Sequence, residues 1–333
     1  MLDNKKILVT GGTGSFGHKF TETVLKRYSP KKLVIFSRDE YKQYEMAKLF
    51  PESRHPAIRY FIGDVRDKSR LFRAFEGIDY VVHAAALKQV PALEYNPTEA
   101  VKTNVDGANN LVDAAIDAGI KKVIALSTDK AVSPANLYGA TKLVAEKLFI
   151  AANAYGGGRV RFAAVRYGNV VGSRGSVVPF FMDLKKKGVK EFPITDERMT
   201  RFWITLEQGV ELVLKALDEA VGGEIFIPKI PSMRVTDLAK AMEPACTFKH
   251  IGIRPGEKIH ESLISEDEAR KAVELPRHYI ILPQFVGPAE AEGKFPKGPA
   301  LPDGFFYRSD LNKEWLNVAQ LKDMVQSLER NDA

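Results

Sequence analysis

The chain is 333 residues long and 45% hydrophobic, enough to bury a full core in one large domain or in a large and a small one. Its single cysteine, Cys246, excludes an internal disulfide and any thiolate metal cage built from one chain. The formal charge of +7 comes from basic residues interleaved with acids, which argues against nucleic acid as a partner and suits an anionic small molecule.

The start, Met1 to Lys6, leads into an apolar run far too short for a signal peptide. No run approaches the roughly 18 residues that cross a bilayer, so no membrane association and a cytoplasmic location are expected. Short β-branched runs then alternate with longer helical stretches, the pattern of βαβ units around a parallel sheet. Strands are predicted at 7–10, 33–36, 59–62, 80–83, 123–126 and 162–165, and helices at 16–27, 69–75, 98–118 and 137–152. The fold class is therefore α/β: a doubly wound parallel sheet, which places ligands at the carboxyl ends of its strands. After Arg166 the alternation weakens, which predicts a smaller C-terminal substrate-binding region. The boundaries fall at 1–168 for the dinucleotide-binding domain, 169–285 for the substrate region with some chain returning to the sheet, and 286–333 for a C-terminal arm and helix. Lys185-Lys186-Lys187 reads as a solvated helix end, 287–306 as a Pro/Gly-rich loop or arm, and 316–328 as a short helix.

The first predicted strand runs into Gly11-Gly12-Thr13-Gly14-Ser15-Phe16-Gly17 and then a helix. Gly11 permits a tight turn, Gly14 lets the backbone approach a pyrophosphate, and Gly17 lets helix and strand pack closely, with unpaired helix N–H groups facing the phosphates. That is the context of a Rossmann dinucleotide site; a plain Gly-rich turn is the alternative. The second strand ends at Ser37-Arg38, with no acid in the place that selects NAD. Arg38, with Lys42 a turn later, can face a 2′-phosphate, so NADP is favoured over NAD. Asp39 and Glu40 keep NAD open, and a solvated helix start is the other reading of Arg38 and Lys42. Ala84-Ala85-Ala86, after the fourth strand, supplies small side chains where backbone must lie close to a nicotinamide.

Beyond the fifth strand come Thr128-Asp129-Lys130 and then Tyr138-Gly139-Ala140-Thr141-Lys142. Residues four apart share a helix face, so Lys142 can lower the Tyr138 phenol's pKa and hold a nicotinamide ribose. Alcohol oxidation needs Thr128, Tyr138 and Lys142; an adjacent acid and amine, Asp129 and Lys130, add the means to take a proton from carbon and protonate a leaving hydroxyl. A solvated salt-bridging pair is the alternative reading of Asp129-Lys130. The six histidines show no HExxH-like spacing, and no metal is expected.

The GxxGxxG spacing resembles the extended short-chain dehydrogenase/reductases. Together with Gly63-Asp64-Val65-Arg66-Asp67, His83-Ala84-Ala85-Ala86-Leu87-Lys88, Arg166-Tyr167-Gly168-Asn169-Val170, Met199-Thr200-Arg201-Phe202-Trp203 and Arg254-Pro255-Gly256-Glu257-Lys258, the motifs resemble the UDP-N-acetylglucosamine 4,6-dehydratases. The likeness is greatest to the inverting branch that opens pseudaminic acid biosynthesis. Related dTDP-glucose dehydratases carry Asp-Glu where this chain has Asp129-Lys130, and retaining relatives carry Met in place of Tyr138. The resemblance implies that Tyr138 takes the C4 hydroxyl proton, that Lys130 is the base at C5, and that Asp129 protonates the departing C6 hydroxyl. Lys130 then needs a depressed pKa, which burial near Lys142 would cause. Asp64, Val65, Asn104 and Val170 join the cofactor site, and Lys88 lies between cofactor and sugar. Thr128, Tyr167, Asn169, Thr195 and the loop 172–179, including Ser176 and Val177, contact the UDP-sugar, with Arg201, Arg254 and Glu257 as candidates for its diphosphate and ribose. A homo-oligomer formed through helices flanking the sheet is also implied. An epimerase, a retaining dehydratase and a catalytically silent NADP-binding regulatory protein are the competing readings.

Overall fold

The computed structural model describes residues 1–172, 176–283, 295–296 and 298–331, with side chains up to 327. The first half alternates β1 (Lys6–Thr10), α1 (Ser15–Arg27), β2 (Lys32–Ser37), α2 (Glu40–Leu49), β3 (Ile58–Ile62), α3 (Lys68–Phe75) and β4 (Tyr80–His83). Two short helices, α4 (Val90–Tyr95) and α5 (Pro97–Ala100), lead through a π turn (Val101–Asp106) into α6 (Gly107–Asp117). Then come β5 (Lys122–Thr128), α7 (Leu137–Tyr155) and β6 (Arg161–Tyr167).

The strand order around β1 runs β6-β5-β4-β1-β2-β3, all parallel. Its order reverses between β1 and β4, and the crevice at that switch point is where such sheets bind ligands. The strands are apolar almost throughout because both faces are covered. In β1, Ile7 and Val9 point into one core with Phe20 and Val24 of α1, while Leu8 points into the opposite core with Leu71, Leu111 and Phe149. That period of two is what a strand between two helical layers requires. Helix starts are marked by side-chain caps: Asp39 accepts from Lys42 N, Asp67 from Arg70 N, and Asn136 from Gly139 N.

The second half supplies β7 (Asn169–Val170), α8 (Val177–Lys186), β8 (Glu191–Ile194), β9 (Thr200–Ile204) and α9 (Leu206–Glu219). It continues with β10 (Ile225–Pro228), β11 (Ser232–Arg234), α10 (Val235–Met242), β12 (Thr247–His250), β13 (Ser262–Ile264), α11 (Glu266–Ala269), β14 (Ala272–Glu274), β15 (His278–Ile281), β16 (Tyr307–Arg308) and α12 (Val318–Asn331). The chain returns to the main sheet with β10 parallel to β6, and β15 and β14 extend that edge antiparallel, giving nine strands. The remaining strands build small sheets around a separate core that includes Phe181, Phe192, Trp203, Leu238 and Leu321.

Several elements differ from the sequence reading. The helix predicted over 98–118 is interrupted by the π turn at Val101–Asp106, which puts Thr103 on the crevice wall. The loop predicted at 172–179 is already helical from Val177, and its residues 173–175 lie outside the described ones, as do 287–294 of the predicted arm. The last helix starts at Val318 instead of 316. No helix among the described residues is long and apolar enough to cross a membrane.

Candidate active site

A cavity of about 650 Å³ lies along the carboxyl ends of β1, β2, β4, β5 and β6, running from Arg38 and Asp64 at one end to Lys130, Tyr138 and Asn169 at the other. The glycine turn forms its floor. Gly11 has φ +63°, and a Cβ there would lie 2.8 Å from the Ala85 backbone; a Cβ on Gly17 would lie 2.1 Å from the Gly12 carbonyl oxygen. The turn is thus a cradle shaped by missing side chains. Gly14 is the N-cap of α1 and offers no side chain, so the first N–H groups of that helix lack a side-chain cap.

Thr13 and Ser37 hydroxyls bond each other at 2.9 Å below this turn. Arg38 and Lys42 both line the cavity and are about half exposed. Arg38 stands 3.8 Å from Asp64, and Lys42 pairs with Asp39 at 2.9 Å, both solvent-screened contacts that a bound anion can displace. Burial would raise the Asp64 carboxyl, but the Arg66 fork at 2.8 and 3.0 Å holds it below the usual range. Val65, Ala84, Ala85, Ala86, Lys88 and Val170 complete the wall. A dinucleotide fits this donor set: backbone N–H groups and a glycine cradle for the pyrophosphate, and two cations at the second strand's end.

At the far end, β5 and the start of α7 bring the reactive groups together. Thr128 Oγ1 donates to Asp129 Oδ1 at 2.9 Å and accepts the Lys130 N–H at 3.3 Å. The Tyr138 phenol lines the same end of the cavity as Thr128 and Lys130. Lys130 Nζ donates to the same Asp129 oxygen at 3.0 Å. Thr128, Asp129 and the Lys130 amine therefore form one hydrogen-bonded group, with the Tyr138 phenol on the same stretch of wall.

The charges differ from the sequence expectation. Burial pushes the Tyr138 phenol up to about 12, and the cation that pulls it down is Lys130 instead of Lys142. Lys142 lies in the wall with its amine on the Leu126 carbonyl at 2.7 Å, and burial lowers it to about 8. Lys130 is not depressed: burial acts to lower it, but the Asp129 and Glu261 carboxylates overcome that and push it above the ordinary lysine value. Asp129, fully buried, is raised, first by burial and also by Glu261. Lys88 is lowered by burial and by repulsion from Lys130.

Other predicted residues fall elsewhere. Asn104 does not line the cavity; its amide clamps Leu87 N and O at 2.8 and 2.9 Å, shaping the loop that does. Arg201 is buried, with its guanidinium donating to the carbonyls of Thr200, Lys258 and Ile259, so it is not free for a diphosphate. Glu40 is exposed at the start of α2, Arg254 is exposed, and Val177, Thr195 and Glu257 lie outside the lining, although one Glu257 carboxylate oxygen is buried without a partner. Asp129 lies behind the wall and reaches the cavity only through Thr128 and Lys130. Thr128, Tyr167, Asn169 and Ser176 line the wall. Sequence reasoning missed Gln89, Thr103, Ser127 and Leu206 in the lining. It also missed Glu261, whose only signal was its place three residues beyond the Arg254–Lys258 block.

Residues 7–283 match the family described as polysaccharide biosynthesis protein. Over 99% of both chains, the sequence is 54% identical to a Campylobacter jejuni protein named UDP-N-acetylglucosamine 4,6-dehydratase (inverting). It is 45% identical to a UDP-glucose 4-epimerase of Rickettsia massiliae over 84% of each chain. Among solved structures, Pen from Bacillus thuringiensis superposes with a TM-score of 0.87 at 40% identity, covering 98% of this chain and 99% of that one. With a doubly wound sheet, a glycine cradle at its switch point and this match over most of its length, the chain belongs to the polysaccharide biosynthesis protein family.

Proposed function

We propose that this protein is a nucleotide-sugar 4,6-dehydratase that acts on UDP-N-acetylglucosamine, inverts C5 and uses NADP, giving UDP-2-acetamido-2,6-dideoxy-β-L-arabino-hexos-4-ulose for pseudaminic acid biosynthesis. The observation that carries this reading is the hydrogen-bonded group Thr128–Asp129–Lys130 beside the Tyr138 phenol, at one end of a dinucleotide-shaped cavity. The name of the 54% identical Campylobacter protein supports it.

Gly11, Gly14 and the α1 N-terminus would hold the cofactor's pyrophosphate, Arg38 and Lys42 its 2′-phosphate, and Lys142 and Ala84–Ala86 its nicotinamide half. A nicotinamide held there supplies reversible hydride acceptance, from C4 in the first half of the cycle and back to C6 in the second. Tyr138 takes the C4 hydroxyl proton while its own proton passes through Thr128 to Asp129, which avoids a free phenolate in a site that disfavours one. The 4-keto group acidifies C5–H, and Lys130, as free amine, takes that proton. Asp129, now a carboxylic acid with a raised pKa, returns its proton by the same route to the C6 hydroxyl, which leaves as water. Two protons leave the sugar and two return, one to water and one to C5, so the site ends as it began.

Incubation with UDP-N-acetylglucosamine in deuterated water tests this. The expected product has lost one water, carries deuterium at C5, and shows a C6 methyl signal by NMR. An unchanged mass with inverted C4 would support an epimerase, as the Rickettsia relative's name suggests. No turnover at all would leave a nucleotide-binding protein without chemistry.

A further inference from the structure

Glu261 stands just before β13, far from the catalytic loop in sequence, and its side chain is only 4% exposed. Its Oε1 lies 3.3 Å from Lys130 Nζ; Oε2 lies 3.8 Å from Lys258 Nζ and has no hydrogen-bond partner among the described residues. A buried carboxylate with an unpartnered oxygen is costly, and an apolar or neutral side chain would avoid that cost. The groups facing Lys130 come from every side: Asp129 beside it, Tyr138 from α7, Lys88 from the loop after β4, Arg201 from β9, and Lys258 and Glu261 from the segment before β13. Of these cations Lys88 and Lys130 line the cavity, and of those two only Lys130 lies against Glu261. Arg201 is tied to three carbonyls, and Lys258 Nζ donates to the Val132 carbonyl at 2.6 Å.

We infer that Glu261 is a positioning residue: it holds the Lys130 amine between itself and Asp129 at the cavity wall, and sets the pH at which that amine can take up the sugar's C5 proton. A lysine stem with four rotatable bonds and one partner would sample many rotamers; carboxylates on two sides leave it one place. Glu261 also favours the protonated form of both Lys130 and Asp129, so its removal lowers both groups together. The part concerning C5 rests on the proposed dehydratase reading; the part concerning Lys130's position and charge does not.

The test is Glu261→Gln, which keeps shape and removes charge. Trace labelling of Lys130 with an amine reagent across pH, read by peptide mass spectrometry on substrate-free protein, gives its titration directly. The expected midpoint falls by at least about one unit relative to wild type, roughly a tenfold rise in free amine at a given pH. With substrate, both limbs of the kcat–pH profile move toward acid, a joint shift that loose packing alone does not produce. Glu261→Asp, which keeps the charge but draws it back, moves the midpoint by less. A folded Glu261→Gln protein with Lys130 titrating as in wild type overturns the inference, and so does an unmoved midpoint in Glu261→Asp if the Gln variant fails to fold. The labelling needs no turnover, so a wild-type protein that forms no ketosugar defeats the dehydratase reading without deciding this one.

Discussion

Two clusters of buried charge face opposite fates in this molecule. Arg166, on β6 and fully buried, donates all five of its N–H groups: two to Glu146 on α7, two to Glu268 on α11 and one to the Leu263 carbonyl, at 2.6–3.0 Å. Around Lys130 there are also two carboxylates, but Asp129 Oδ2 and Glu261 Oε2 have no hydrogen-bond partner among the described residues. The first cluster leaves nothing for a ligand to do. The second keeps unused acceptors beside a cavity, with Asp129 and Lys130 both held toward their protonated forms. Complete satisfaction marks a clamp, and incomplete satisfaction marks a site where protons move.

The comparison breaks most sharply at Tyr138. Tyr138→Phe removes the phenol proposed to take the C4 hydroxyl proton, and ketosugar formation is expected to fall by roughly a thousandfold or more, with the fold unchanged by circular dichroism. Lys130→Ala is expected to lower turnover roughly a hundredfold while cofactor still binds, with the absorbance of reduced nicotinamide accumulating because elimination stalls. Near wild-type turnover in that variant would show that Lys130 is not the C5 base. Because Lys130 is held above the ordinary lysine value, wild-type kcat should climb with pH on the alkaline side of neutrality. The stability contribution of Lys130 has the opposite sign: it is fully present below the unfolded lysine value and is lost as pH rises through the higher folded one, which alkaline denaturation midpoints would reveal.

At the clamp the expected effect is on stability. Arg166→Ala leaves two buried carboxylates without their cation and should cost about 3–5 kcal/mol in chemical denaturation. If it instead lowered kcat selectively with little change in stability, the division between clamp and reactive cluster would fail. The smallest effect is expected at the cofactor's outer end, where Arg38 is half exposed. Arg38→Ala should weaken NADP binding by about tenfold and leave NAD nearly unchanged, measured by calorimetry.

The sheet was legible because parallel strands buried on both faces read as short β-branched runs, and the glycine turn because only missing side chains fit between β1 and Ala85. Thr128, Lys130, Tyr138 and Lys142 were legible as near neighbours in sequence on one strand, loop and helix. The charge on Lys130 was not, since it depends on Glu261, which a long-range contact delivers. Arg201 misled for the same reason: a guanidinium looks ready for phosphate until three carbonyls from outside its own strand and within it close around it. The π turn that sets Thr103 against the cavity has no strong local signature, because its apolar spacing passes for an ordinary helix.

The bond from Lys258 to the Val132 carbonyl and the Arg201 grip on Lys258 and Ile259 fasten a late stretch of chain onto the loop that carries Thr128–Lys130. A substitution at Lys258, outside the cavity wall, would therefore be passed to Thr128–Lys130 through a single backbone carbonyl.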